Sequence, residues 1–157
     1  MATRAQPAVS IRAARVGDLD EVAAIERSVF NDPWSRRSFV DLVASKNVLF
    51  LVAASHSGAV VGYGIVLIAG DESELANLAI SRLMQKQGLG RKLLAEAVEQ
   101  ARGRGAQTMF LEVRASNASA IGLYTAAGFE PVGRRARYYA RPIEDAIVMR
   151  ALLTPQH

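Results

Sequence analysis

The chain has 157 residues, 50% of them hydrophobic, 22% charged and 6% aromatic, with a formal net charge of +4. That length and composition predict one soluble domain large enough to bury a core. With no cysteine in the chain, a disulfide framework, a thiolate metal site and a cysteine nucleophile are all excluded.

Residues 1–9 read as a flexible leader and 10–157 as a single domain. The leader, Met1-Ala2-Thr3-Arg4-Ala5-Gln6-Pro7, lacks the apolar core of a signal peptide, so a cytoplasmic protein is expected. Ser10–Ala14 alternates as a short first strand. Asp18 is placed to cap a helix, with Glu21 three residues later as its capping-box partner. Leu19, Val22, Ile25 and Val29 then share one helical stripe. Asn31-Asp32-Pro33 ends that helix, and Ser35 caps a second one carrying Phe39, Leu42 and Val43.

Val48–Ala54 and Val60–Ile68 are apolar and β-branched, and the turn at His56–Gly58 between them predicts an antiparallel hairpin. His56 falls in that turn and His157 ends the chain, so neither builds a metal site, and no metal is expected. The longest apolar run, Ala59–Gly70, has the length of a strand; a membrane-spanning helix needs ~20 residues. No membrane partner is expected.

Glu74–Ile80 is the next strand. A loop follows, then a helix from Leu89 to Arg102 with Leu89, Leu93, Leu94, Ala97, Val98 and Ala101 inward, stopped by Gly103 and Gly105. Thr108–Arg114 is a strand, Asn117–Ala127 a helix ended by Gly128, and Pro131–Tyr139 and Asp145–Leu152 two last strands. The order β-α-α-β-β-β-α-β-α-β-β describes a mixed, mostly antiparallel sheet flanked by helices, an α/β (α+β) domain.

The most informative local feature is Gln85-Lys86-Gln87-Gly88-Leu89-Gly90-Arg91, between a strand and a helix. Its glycines remove side chains where backbone must approach a ligand. The helix start presents free N–H groups and the positive end of the dipole, which suits a pyrophosphate. There is no third glycine at dinucleotide-fold spacing and no Gly-Lys-Ser/Thr, so what remains is a shorter anion cradle.

Strand, Gln85-x-x-Gly88-x-Gly90, long helix, strand, then Asn117 opening a helix: this succession resembles the GNAT superfamily of N-acetyltransferases. Three further blocks are similar to its bacterial ribosomal-protein-alanine N-acetyltransferase (RimI-type) branch. They are Pro33-Trp34-Ser35; Leu111-Glu112-Val113-Arg114-Ala115-Ser116-Asn117 continuing through Leu123-Tyr124 to Gly128-Phe129; and Arg137-Tyr138-Tyr139 with Glu144-Asp145-Ala146-Ile147-Val148-Met149. The likeness spans residues 10 to 152. One departure is Ser81-Arg82-Leu83-Met84, which lacks the proline often found before the cofactor loop.

The resemblance implies acetyl-coenzyme A as co-substrate and a protein or peptide acceptor, a ribosomal-protein N-terminus first among them, with no DNA partner and a monomer or weak dimer. It implies that Leu78, Ala79 and Ile80 bind the cofactor through the backbone of a splayed strand. Lys86, Gln87, Gly88, Leu89, Gly90 and Arg91 would hold its pyrophosphate, and Asn117 its pantetheine arm or acetyl region. Glu112 would be the general base and Tyr124 the general acid. Trp34, Tyr138 and Tyr139 would lie near the acceptor.

The residues themselves leave alternatives open. Glu112 in an apolar strand is either a base or half of a salt bridge, with Arg114 as the nearest partner. Asn117 and Tyr124, seven apart, share a stripe with Ala120 and Ile121. Asn117 is also a plain N-cap, and Tyr124 a core tyrosine with its hydroxyl at the edge. Trp34 serves either to anchor a helix or to line a substrate pocket. On a regular strand, Tyr138 and Tyr139 point to opposite faces. Arg134, Arg135 and Arg137 read as a solvated strand face.

With no cysteine to carry an acyl group and no visible histidine partner to activate a serine, direct transfer in a ternary complex is the expected route. Backbone N–H groups of the splayed strand would polarise the thioester carbonyl. An α-amine, with a pKa of about 7.7–8.0, is easier to deprotonate than a lysine at about 10.4, by roughly 3–4 kcal/mol. A single carboxylate base therefore suits an N-terminal amine. Two other readings remain: a lysine or small-amine acetyltransferase, and a non-catalytic acyl-coenzyme A-binding module.

Overall fold

A computed structural model describes residues 9–153. The expected leader over 1–9 loses its last member to the sheet, because Val9 pairs with Ser55; residues 1–8 and His157 lie outside the described residues. The elements are β1 (Val9–Ala13), α1 (Leu19–Val29), α2 (Arg36–Val43), β2 (Val48–Ser55), β3 (Val60–Ala69), β4 (Glu72–Ile80), α3 (Leu89–Gly103), β5 (Thr108–Arg114), α4 (Ala118–Ala126), β6 (Glu130–Ala140) and β7 (Ile143–Leu152). Short 3-10 turns at Val16–Asp18 and Arg82–Met84 precede α1 and the glycine loop.

The strands form one sheet in the order β1-β2-β3-β4-β5-β7-β6. Every pairing is antiparallel except β4 with β5, because α3 carries the chain back across the sheet between those two strands.

Each face of the sheet has its own core. On one, Leu89, Leu93, Leu94, Ala97 and Ala101 of α3 pack against Leu75, Met109, Leu111 and Val113. On the other, Leu19, Val22 and Ile25 of α1 and Phe39 of α2 pack against Phe50, Val52, Tyr63 and Ile65. Phe39 anchors this second layer, with Tyr63 edge-on at 5.7 Å between ring centroids and Trp34 tilted at 5.8 Å. Fully burying one such side chain contributes about 1.5–3 kcal/mol.

Asp18 does not cap α1 with its side chain. It takes two hydrogen bonds from the Arg12 guanidinium, at 2.7 and 2.8 Å, and one from the Arg15 N–H. Glu21 accepts the N–H of Val60 rather than closing a capping box. The bidentate ion pair outweighs the local cap because it joins β1 to α1 through two charged hydrogen bonds. Ser35 caps α2 as its sequence indicates, accepting from the Ser38 N–H.

The feature that positions the site is where β4 leaves β5. Their ladder runs only from Glu72–Thr108 to Leu75–Leu111. A bulge then falls at Ala76, since Ile65 pairs with Asn77 while Val66 pairs with Leu75. The extra residue bends β4 away from β5, so the backbone from Asn77 to Ile80 has no β5 partner. On its other side β4 lies close to β3: a Cβ on Gly62 would stand 2.6 Å from Ile80 Cδ1 and 3.1 Å from the Ala79 carbonyl oxygen. Only glycine permits that approach.

Candidate active site

The cradle is built at the start of α3. Lys86 and Gly88 both take left-handed backbone, φ 65° and 82°, which turns the chain sharply into the helix. Gly88 is the N-cap, and no side chain caps the first turn. The first N–H groups of an α-helix have no partner within the helix, so those of Leu89, Gly90 and Arg91 point outward. A Cβ on Gly88 would meet nothing within 4 Å. Lys86, Gln87 and Arg91 are exposed around this opening. Free donors, a helix dipole and two cations fit a diphosphate. Gln85 ties the loop back, donating to the Ile80 carbonyl at 3.0 Å.

From this cradle a path leads along the unpaired part of β4. Leu78 packs towards α3 and Ile80 is buried with it, whereas Ala79 faces α1. These residues therefore offer a ligand their backbone on the open edge. α4 forms the other wall. Asn117 caps it, its Oδ1 accepting the Ala120 N–H at 3.1 Å. The cap uses the carbonyl oxygen and leaves the amide N–H₂ group for another acceptor.

Tyr124, one helical stripe on, stacks edge-on against Phe129 at 5.9 Å. Burial first, then the neighbouring Tyr139, pushes its phenol up to about 12. A phenol held that high stays protonated at neutral pH, the state a proton donor needs.

Glu112 lies on the opposite face of the sheet, in a cleft of about 490 Å³ whose lining includes Glu74, Phe110, Arg135 and Val148. Its ion-pair partner is Arg135 of β6, at 3.2 Å, and not Arg114. Arg114 instead bonds to Glu144 and donates to the carbonyls of Arg141 and Pro142, clamping the β6–β7 turn. Its guanidinium also covers the Tyr139 ring at 4.4 Å. The Glu74 carboxyl is pushed up, by burial first and then by the charge of Glu112.

Tyr138 and Tyr139 do not point to opposite faces. Their ring centroids are 5.1 Å apart with planes at 86°. The alternation fails because β6 carries an irregularity: Arg135 pairs with Ala146 but Tyr139 with Glu144, and Arg137 between them is left-handed. Both rings therefore stand beside Glu112. The Tyr138 phenol is raised by its hydrogen bond to Glu112, then by burial. Tyr139 is pushed up to about 12 by burial and then by Glu112. Tyr139 thus neighbours both Glu112 and Tyr124.

Trp34 is not among the residues lining the Glu112 cleft. It lies half-buried between α1 and α2 against Phe39, the packing that its helix-anchoring reading requires, and its part in acceptor binding stays a proposal. Arg134 and Arg135 are 60% exposed, as a solvated strand face requires, but each also pairs with a carboxylate, Asp145 and Glu112 respectively.

Sequence reasoning missed Glu26, which is 1% exposed. Its carboxylate accepts from the Tyr63 hydroxyl, from Asn77 Nδ2 at 2.6 Å and from the Trp34 N–H at 2.8 Å. The signal was present, because residue 26 falls on the apolar stripe between Val22 and Val29.

The acetyltransferase (GNAT) family profile matches residues 19–129. The chain is 37% identical over 134 residues to the [ribosomal protein bS18]-alanine N-acetyltransferase of Escherichia coli (strain K12), covering 84% of this chain and 89% of that protein. It is 35% identical over 140 residues to a putative enzyme of the same description from Bacillus subtilis (strain 168), covering 89% and 93%. The crystal structure of the Escherichia coli ribosomal-protein-S18-alanine N-acetyltransferase superposes with a TM-score of 0.87 at 32% identity, covering 96% of this chain and 97% of that one.

Proposed function

The chain belongs to the acetyltransferase (GNAT) family, and from that premise we propose that it moves an acetyl group from acetyl-coenzyme A onto a protein α-amine. The acceptor is the N-terminal alanine of a small-subunit ribosomal protein, in the cytoplasm. The observation that supports this reading is a carboxylate, Glu112, and a phenol, Tyr124, both neighbouring Tyr139, together with an open β4 edge that leads to an anion cradle.

Acetyl-coenzyme A, when bound, supplies the activated thioester. The chain's own residues do the rest. Lys86, Arg91 and the N–H groups of Leu89 and Gly90 anchor the diphosphate. The open edge of Leu78–Ile80 and the Asn117 amide orient the arm. Glu112 takes the proton of the incoming ammonium, and Tyr124 gives a proton to the departing sulfur. Arg135 is 60% exposed although Glu112 is only 18% exposed, so the guanidinium can turn out to solvent and leave the carboxylate to the amine. Among the described residues no helix is long and apolar enough to cross a membrane.

Two features support a peptide over a free small amine. The similar Escherichia coli and Bacillus subtilis proteins carry names that specify a ribosomal-protein alanine. The cleft beside Glu112 is open, and the exposed Tyr138 hydrogen-bonds to Glu112. The test is incubation with acetyl-coenzyme A and peptides that differ only at residue one, with the acetyl group located by mass spectrometry. Acetylation at the first amine, with alanine preferred, is expected. Modification only at internal lysines would reject the N-terminal assignment.

A further inference from the structure

We infer that Glu26 is a positioning residue that sets the cofactor strand in register with the loop between the first two helices. The inference rests on the acetyl-transfer reading above. Glu26 lies on α1 and is 1% exposed. Its Oε1 accepts from the Tyr63 hydroxyl on β3 and from Asn77 Nδ2 on β4, while Oε2 accepts the Trp34 N–H in the loop between the first two helices. One carboxylate therefore bonds to two strands and a loop that no other single side chain joins among the described residues.

The β4 bulge explains why Asn77 can take part. Leu75 faces α3 and Ala76 faces α1. On a regular strand Asn77 would return to the α3 side, because alternate residues face alternate sides. The extra residue at Ala76 keeps Asn77 on the α1 side, where its amide meets Glu26 at 2.6 Å. The phase is thereby reset so that Leu78 and Ile80 face α3. Asn77 Oδ1 also accepts the N–H of Leu78 at 3.2 Å. The bond to Glu26 thus pins the first residue of the stretch whose open backbone edge leads to the cradle.

All three donors to Glu26 are neutral. A buried carboxylate with no cation beside it is expensive to maintain. An apolar residue would fill the same space on the stripe of Val22 and Val29, so packing alone does not account for it. Full hydrogen bonding by groups from separate elements makes it a rigid joint. That joint holds the Trp34 loop and the β4 edge at a fixed separation, so the backbone edge that leads to the cradle keeps its place. Small misplacements of this kind cost rate rather than binding.

The experiment compares the full chain with its Glu26→Gln variant. Thiol release is followed at saturating acetyl-coenzyme A and peptide, well below both melting temperatures, with circular dichroism to verify folding. Gln keeps the volume but puts an N–H₂ donor against one of the existing donors, so a bond is lost. The expected result is a kcat lowered roughly 10- to 100-fold, with the shape of the pH profile retained. Wild-type kcat in a variant that melts lower would overturn the inference and leave Glu26 a core residue. Loss of the acid limb of the profile would also overturn it, by making Glu26 a proton acceptor. Should Glu26→Gln not fold, Asn77→Ala serves: lowered kcat supports the joint, and full kcat refutes it. If the wild type acetylates no amine at all, the proposed function falls and this inference with it. An active wild type with an unaffected variant removes only the inference.

Discussion

Asp145 accepts the backbone N–H of Arg137 at 2.9 Å while its second oxygen takes the Arg134 guanidinium at 2.6 Å. Arg137 is left-handed, φ 54°, a conformation that costs a non-glycine residue about 1–2 kcal/mol. Asp145 holds it there. The irregularity so fixed brings Tyr138 round to the side of Tyr139, and both rings to Glu112. Glu144, the neighbouring residue, does a matching job one step away by accepting the Ser116 N–H at 2.6 Å ahead of α4.

Replacing Asp145 with Ala should therefore let Arg137 relax and part the two rings. The expected outcome is a raised KM for the acceptor peptide with little change in KM for acetyl-coenzyme A. The Arg137 N–H first, and then Arg134, hold the Asp145 carboxyl below its usual range. A depressed folded value means that the stabilisation is present above the unfolded value of about 3.9 and is lost as pH falls through the folded one. Thermal unfolding should thus separate Asp145→Ala from wild type at pH 6 and bring them together as the pH falls well below the unfolded value of about 3.9. A gap that widened on acidification would contradict the assignment.

Glu112→Gln should lose ~10²–10⁴ in turnover near neutral pH, the usual contribution of a general base. Affinity for acetyl-coenzyme A should be unchanged, since Glu112 lies on the face of the sheet away from the cradle. Steady-state thiol release and calorimetric titration together measure this. Equal rates for both proteins across the pH range would remove Glu112 from the chemistry.

Tyr124→Phe keeps the ring against Phe129 and removes only the hydroxyl. Turnover should fall by a similar ~10²-fold or more, with melting temperature nearly preserved. Because burial pushes this phenol up to about 12, it stays protonated from pH 6 to roughly pH 10. Any alkaline loss of wild-type activity in that window must then belong to another group. A wild-type limb that vanished in Tyr124→Phe would contradict the placement of this proton.

Gly88→Ala tests the cradle. The space around Gly88 is open, but its φ of 82° is not one that alanine adopts readily. Stability should drop by about 1 kcal/mol, and KM for acetyl-coenzyme A should rise while KM for peptide stays put. A rise confined to the peptide would mean that the loop serves the acceptor instead.

Much of the site was legible in the residues. The two glycines, the helix that follows them and the Asn117 cap are local: each depends on a few neighbouring positions and on backbone preferences that a sequence states directly. The order of the elements followed from hydrophobic period in the same way. What could not be read was pairing across distance. Glu112 lies two residues from Arg114, the partner that sequence proximity suggests, yet it pairs with Arg135 on another strand. Asp18 has the position of a cap but goes to Arg12. For Asp18, two charged hydrogen bonds outweigh a single neutral cap; for Glu112, the neighbouring Arg114 is already held by Glu144 and the carbonyls of Arg141 and Pro142.

The sequence alone determined the succession of strands and helices, the anion cradle before α3 and the kinship carried by the Glu112–Phe129 block, because each is written in contiguous residues. Only the tertiary structure decided which side chains meet. The bulge at Ala76 shifts the alternation of β4, and a shift of one residue moves the later side chains to the other face, which is why Asn77 reaches Glu26. Between Arg135 and Tyr139 the regular ladder of β6 is lost altogether, and there Tyr138 joins Tyr139 beside the carboxylate.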